Sequence, residues 1–333
     1  MDGVTPVRDF RGWLPVRTFF RGGEAFVDWA YFGVMRLREP FFRDSVAIAM
    51  RLPFNQAFRR VTAAEEMAGW AASEMGRAPT ALVFHASRCG STLISQMLAA
   101  LPSHVVVSEP PMLDAILRAT HAGEALTERQ QVAYIRALIM VLGKARAGET
   151  EYVVKLDAWD IFDLPLIRLA FPDTPWIYLY RDPLEIAVSQ LRQRGSYMVP
   201  GVLGPAQILI NPDEAMEMGE EEYIARILGR MFQEGAEAVA SAGGRAVHYS
   251  QLPAAMWTDL AGTFGVANQP ASMERMQQAA QWDAKNPYFA FTADSESKQR
   301  EATPRLRELI DLWATPHYLE LERLRLEVVR CAQ

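Results

Sequence analysis

Cysteine is almost absent from the 333-residue sequence, which has only Cys89 and Cys331. Two lone thiols build neither a disulfide framework nor a cysteine metal cluster, and they suit a reducing compartment. An excess of positive charge is also lacking. With 34 Lys and Arg against 40 Asp and Glu, the formal net charge is -6. That balance argues against bulk attraction to nucleic acid or to an anionic membrane, while leaving room for a local basic pocket. No apolar run reaches the roughly 20 residues that span a bilayer. The opening MDGVTPVRDFRGW lacks the basic-then-apolar pattern of a signal peptide. The expected compartment is therefore the cytoplasm, with no membrane span. Internal repeats and low-complexity tracts are missing too. What is present is an ordinary globular composition, long enough for one large domain with appendages or two small ones.

Residues 1–75 are rich in aromatics and arginines, show no clean strand alternation and are punctuated by Pro40 and Pro53. They read as a helical N-terminal appendage whose aromatics fill a core. An aromatic surface for a substrate or partner is the other reading. From residue 76 to 333 the pattern changes to short apolar runs alternating with helical stretches. Strands are expected at 80–84, 105–107, 152–156, 176–180 and 246–249. Helices are expected after the first strand and at 127–144, 161–170, 183–194 and 220–241. This alternation predicts an α/β fold, a parallel sheet covered by helices on both faces. Ligands of such sheets bind at the carboxyl ends of the strands.

Two segments at such ends carry chemistry. In FHASRCGSTLISQML, residues 84–98, a small-residue turn opens a helix, and backbone N–H groups there point at an anion. The outline is that of a P-loop-type strand–turn–helix, but the Gly-Lys-Ser/Thr of nucleotide triphosphatases is missing. A plain βα turn remains the bland reading. A cysteine-phosphatase loop would place an arginine six residues after Cys89, where Ser95 stands, so Cys89 reads as a packing residue. In WIYLYRDPLEIAVSQ, residues 176–190, Arg181 ends a strand and Ser189 lies on the next helix, positioned to grip one phosphate together. Arg-Asp-Pro is also an ordinary helix start, with Asp182 as a cap and Pro183 in the first turn.

Together these segments resemble the sulfotransferase family that uses 3′-phosphoadenosine 5′-phosphosulfate. The stretch VVKLDAWDIFDLPLIRLAFPDTPWIYLYRDP is similar to its bacterial branch, and the likeness spans about 80–300, weakening over 247–266. The resemblance implies that Ser87, Arg88, Cys89, Gly90, Ser91 and Thr92 cradle the 5′-phosphosulfate. Arg181 and Ser189 then hold the 3′-phosphate. Many cytosolic members carry a lysine where Arg88 stands, and a guanidinium clamps with forked geometry in place of a point charge. The family's C-terminal Arg-Lys-Gly element is not evident, and Lys298 is the candidate for its basic contact.

Sulfuryl transfer needs a group to take the acceptor proton and cations to offset charge on the leaving phosphate. Related enzymes use a glutamate or a histidine near the end of the second strand. Glu109 follows that strand; its bland reading is a turn carboxylate stiffened by Pro110 and Pro111. His104 falls at the strand's wrong end, and His85 reads as packing or orienting the loop. Lys155 ends the third strand, aimed at the phosphosulfate bridge or else paired with Asp157. No metal is implied, and Asp157 and Asp160 read as solvated or paired. The stretch 196–212 is a lid or a connecting loop. The resulting expectation is a sulfotransferase acting on a small-molecule or glycan hydroxyl, or an amine, with Glu109 as base. A P-loop kinase and a non-catalytic nucleotide-binding module are the alternatives.

Overall fold

The computed structural model describes residues 10–71, 76–202, 210–286, 288–290, 292 and 294–331. The N-terminal segment departs from the helical appendage expected of it. Three strands, β1 (Trp13–Arg21), β2 (Glu24–Tyr31) and β3 (Arg60–Ala63), form an antiparallel sheet in that order. Helices Phe42–Met50, Pro53–Ala57 and Ala64–Ala71 accompany it. The hairpin turn is Gly22-Gly23, with φ of 59° and 81°, between the paired residues Arg21 and Glu24. Glycine reaches that left-handed region without a steric penalty, so Gly-Gly between apolar runs is itself a hairpin signal. Alternation was obscured by a register shift between Pro15 and Arg17 and by four consecutive buried residues in β2. Phe10, Trp13, Trp29, Phe32 and Phe42 are buried in the same continuous core as the rest of the chain. Strand β1 packs on helices Met112–Leu117 and Glu128–Leu142.

The second sheet matches the predicted α/β class. Its strands are β4 (Ala81–His85), β5 (His104–Ser108), β6 (Glu151–Lys155), β7 (Trp176–Tyr180) and β8 (Arg245–His248). All pairs are parallel, in the order β5-β6-β4-β7-β8. Every residue of β4, β5 and β7 is buried, as expected of a sheet flanked by helices on both faces. Helices Ser91–Ala99, Glu128–Leu142, Pro183–Arg192 and Glu220–Ala242 lie close to their predicted ranges. The expected helix at 161–170 is split into a 3₁₀ turn, Ala158–Asp163, and a short α-helix, Leu164–Ala170. After β4 the chain runs to the β5 side of the sheet, and after β7 to the β8 side. The strand order therefore reverses between neighbours β4 and β7, which opens a crevice at their carboxyl ends.

Candidate functional site

A cleft of about 590 Å³ lies in that crevice, and both predicted motifs line it. The first is the turn after β4. Ser87 and Arg88 adopt φ of 63° and 47°, and Gly90 adopts 90°. Left-handed geometry at two consecutive non-glycine residues costs about 1–3 kcal/mol each and persists only where the surroundings enforce it. Here the Ser87 N–H donates to His85 Nδ1 at 3.0 Å and Gln190 Nε2 donates to Ser87 Oγ at 3.2 Å. Gly90 is required: a Cβ there would meet the Tyr249 ring at 2.8 Å. Helix Ser91–Ala99 starts at Gly90 without a side-chain cap. Its first turn, where helix N–H groups point at an anion, begins with Ser91 and Thr92, which line the cleft. Arg88 lines it too and donates to the Gln193 carbonyl. The Cys89 side chain points away, donating to the Leu179 carbonyl at 3.3 Å. Burial pushes its thiol up to about 12, so it supplies no nucleophile.

The second motif is built at the end of β7. Asp182 caps helix Pro183–Arg192, accepting from the N–H groups of Leu184 and Glu185. Arg181, 4 % exposed, stacks its guanidinium 4.3 Å from the centre of the Tyr249 ring. It donates to Glu185 at 2.5 Å, to Asp294 at 2.8 Å and to Ser295 at 2.9 Å. Lys298 reaches the other Asp294 oxygen at 2.7 Å. Ser189 lines the same wall. Arg181, Ser189 and Lys298 thus come together as the sequence suggested, but a carboxylate of the chain, Asp294, bridges the two cations. Burial opposes ionisation of Asp294, yet its bonds to Lys298 and Arg181 outweigh that and hold its carboxyl below the usual range.

On the other side of the β4 turn, after edge strand β5, stands Glu109, with φ of 52° and its N–H donating to the Lys155 carbonyl at 2.7 Å. Lys155, fully buried, places its ammonium 2.7 Å from Glu109 Oε1 and 3.5 Å from Thr92 Oγ1. The ammonium also lies 4.9 Å from the centre of the Phe41 ring, contributed by the N-terminal segment. Its carboxylate partner is therefore Glu109, where the sequence had offered Asp157. Burial raises the Glu109 pKa, but Lys155 and then His85 outweigh it, and the carboxyl stays well below its ordinary value. His85 is buried, which keeps its imidazole neutral. Because Nδ1 accepts the Ser87 N–H, the ring proton must be on Nε2, which faces Glu109 Oε1 at 3.6 Å. With one nitrogen protonated and the other occupied, His85 orients the loop and has no free lone pair for base catalysis. His104 binds the Phe264 carbonyl at 2.8 Å, far along β5 from Glu109.

Asp157 and Asp160 are not solvated surface groups. Burial and the neighbouring carboxylates push both well above the usual range. Of the stretch 196–212, residues 203–209 lie outside the described residues. Ser196 and Tyr197 line the cleft, and Gln190 fixes the segment through Tyr197 Oη at 2.5 Å and the Gly195 N–H at 3.0 Å.

Several lining residues had no sequence signal. Tyr249, the residue after β8, touches both motifs. Lys285 is pushed down to about 8 by its packing and by Arg88 and Lys155. Arg43 and Phe41 come from the N-terminal segment. Counting Arg194, the described residues of the cleft include six cations against four carboxylates in a chain of net charge -6.

No protein-family model matches the chain, and no curated protein is significantly similar. Solved structures similar to it include a sulfotransferase from Alicyclobacillus acidocaldarius, with 14 % identity over 75 % of this chain and 96 % of that one, TM-score 0.42. The sulfotransferase domain of the curacin biosynthetic pathway has 16 % identity over 76 % and 98 %, TM-score 0.42. A sulfotransferase from Mycobacterium tuberculosis H37Rv has 14 % identity over 74 % and 80 %, TM-score 0.41. Superpositions this distant leave function to the chemistry of the cleft.

Proposed function

We propose that this protein transfers a sulfuryl group from 3′-phosphoadenosine 5′-phosphosulfate to a hydroxyl or amine of a small-molecule or glycan acceptor. One observation carries the reading: a single cleft joins two cationic anion grips on adjacent strands, with the Lys155–Glu109 pair beside the first of them. The donor set fits such a co-substrate. The 87–92 backbone, Arg88, Ser91 and Thr92 would hold the 5′-phosphosulfate, and Arg181, Ser189 and Lys298 the 3′-phosphate. When bound, the co-substrate supplies an electrophilic sulfur and a leaving group that departs as adenosine 3′,5′-bisphosphate. Glu109 is the residue placed to take the acceptor proton. While Lys155 holds it, Glu109 is ionised at neutral pH but is a weak base. Negative charge that draws the ammonium toward Thr92 frees Glu109 to accept a proton, so the pair couples anion binding to base strength.

The test is a thermal-shift panel. Adenosine 3′,5′-bisphosphate should raise the melting temperature without added metal, since a ligand of the native state stabilises it in proportion to concentration and affinity. Magnesium-ATP should do so much less, with magnesium alone as the control. A larger shift with magnesium-ATP would replace this reading with a kinase. Binding of the bisphosphate without donor turnover, across a broad panel of hydroxyl and amine acceptors, would leave only a nucleotide-binding module.

Asp294 gives a second prediction. A 3′-phosphate must displace its carboxylate from Arg181 and Lys298, breaking two charge-assisted bonds of about 1.5–3 kcal/mol each. Asp294→Asn should therefore tighten bisphosphate binding by about tenfold and leave adenosine 5′-phosphate nearly unaffected. Calorimetric titration of both ligands decides it, and equal changes for the two would place Asp294 outside the 3′-phosphate site.

A further inference from the structure

A second cluster of side chains adjoins the cleft and takes no part in the function proposed above. Asp157 caps the 3₁₀ turn Ala158–Asp163, Asp160 lies within it, and Asp114 comes from helix Met112–Leu117. One carboxylate oxygen from each lies within 4.8 Å of those of the other two. Oxygens bound to one Mg²⁺ or Ca²⁺ at about 2.0–2.6 Å are separated by at most about 4–5 Å, so the three already stand at chelating distance. In each carboxylate the protein's own hydrogen bonds leave an oxygen over. Asp114 accepts from Trp159 Nε1 at 3.1 Å and from Arg118 at 3.2 Å, both on Oδ1. Asp157 accepts the Asp160 N–H, and Asp160 Oδ2 accepts the Asp157 N–H at 2.9 Å.

The remaining oxygen of Asp160 is an independent sign of a missing partner. Asp160 is 2 % exposed, and its Oδ1 is buried without a hydrogen-bond partner among the described residues. Such a buried oxygen, charged or neutral, is costly unless a cation or a donor meets it. The nearby cations are already engaged: Arg118 is on Asp114 and Lys155 is on Glu109.

We propose that Asp114, Asp157 and Asp160 form a binding site for one hard divalent cation, Mg²⁺, Ca²⁺ or Mn²⁺, in the wall of the cleft. The donors are all oxygen, with no histidine or cysteine in the group, which selects against zinc and copper. Asp157 and Trp159 both line the cleft, so a cation there borders the space beside Glu109. Sequence reading had placed no metal in this protein, because Asp114 lies 43 residues from Asp157 and forms no spaced motif with it.

The experiment uses the full chain without nucleotide, so its failure leaves the sulfotransferase reading untouched, and failure of that reading leaves this one standing. Tb³⁺ serves as the probe, because it binds hard oxygen sites and luminesces when a neighbouring indole is excited; Trp159 donates directly to Asp114. Expected is saturable one-site luminescence that Ca²⁺ or Mn²⁺ competes away. Trp159→Phe should dim the signal while Ca²⁺ binding, read by calorimetry, persists. Asp160→Asn should weaken binding at least tenfold. If that variant does not fold by circular dichroism, Asp114→Asn, at the more exposed edge, must show the same loss. Absence of saturable binding would overturn the proposal, as would unchanged affinity in a folded Asp160→Asn or Asp114→Asn variant. Displacement of Tb³⁺ by tetramethylammonium or putrescine, but not by Ca²⁺, would likewise overturn it and assign the carboxylates to an organic ammonium.

Discussion

Glu109→Gln should lower turnover by about 10²–10⁴, the usual contribution of a positioned proton acceptor, while nucleotide binding changes little. The loss should fall on kcat more than on the nucleotide KM, because the carboxylate matters chiefly as the proton moves. The amide keeps the shape and can still offer an oxygen to Lys155. It removes the counter-charge of a fully buried ammonium, however, so the variant should also melt lower than the wild type. Rates must therefore be compared well below either transition, by single-turnover consumption of the phosphosulfate donor, with water as acceptor if no other is known. Turnover equal to wild type would remove Glu109 from the chemistry. The geometry then offers no replacement in His85, whose Nδ1 is occupied by the Ser87 N–H.

Lys155→Met carries the largest expected effect on stability. Breaking a buried ion pair by removing one partner costs about 3–5 kcal/mol, and about 3 is expected here because the Glu109 side chain is 22 % exposed. The double variant Lys155→Met/Glu109→Gln should regain much of that, since no unpaired charge is left behind. Because the folded-state pKa of Glu109 is depressed, its contribution is complete above the ordinary carboxylate range. It is lost as pH falls below about 4 toward the folded value. Urea denaturation of wild type between pH 7 and pH 3 should show that acid-side decline. In Lys155→Met this component should shrink, because burial then opposes ionisation of Glu109 with only the His85 contact left against it. Equal destabilisation in the single and double variants would mean that methionine fails at this position by packing and not by charge.

The α/β half of the fold was legible because its strands are buried on both faces and read as unbroken apolar runs, such as TALVF and WIYLY. The N-terminal sheet was not, since its alternation is broken by the bulge at Pro15/Arg17 and the Gly22-Gly23 turn went unread. In the site, the strand-end position of Arg88, Glu109, Lys155 and Arg181 followed from pattern alone. Their pairing did not. Whether Lys155 meets Asp157 or Glu109 depends on which side of β6 each neighbouring strand lies, and strand order is a long-range property. Tyr249, Asp294 and Lys285 belong to the same class, since nothing local distinguishes them from other residues after a strand or at a helix start. Asp157 and Asp160 read as solvated or paired because their burial is imposed by what packs on the 3₁₀ turn, helices Leu164–Ala170 and Glu220–Ala242 and strand β4, which are remote in sequence or set by the fold.

The adjacency of β4 and β7 makes the cleft a ruler. Neighbouring strands are locked about 4.8 Å apart by their hydrogen bonds, so the two anion grips at their ends cannot drift relative to one another. Tyr249 wedges against both, meeting Gly90 on one side and Arg181 on the other. A molecule that satisfies both grips must carry its two anionic groups at one fixed separation. Compounds with the same charges on a longer or shorter tether can occupy either end, but not both. Discrimination by span then comes from the sheet itself, before any loop or acceptor pocket takes part.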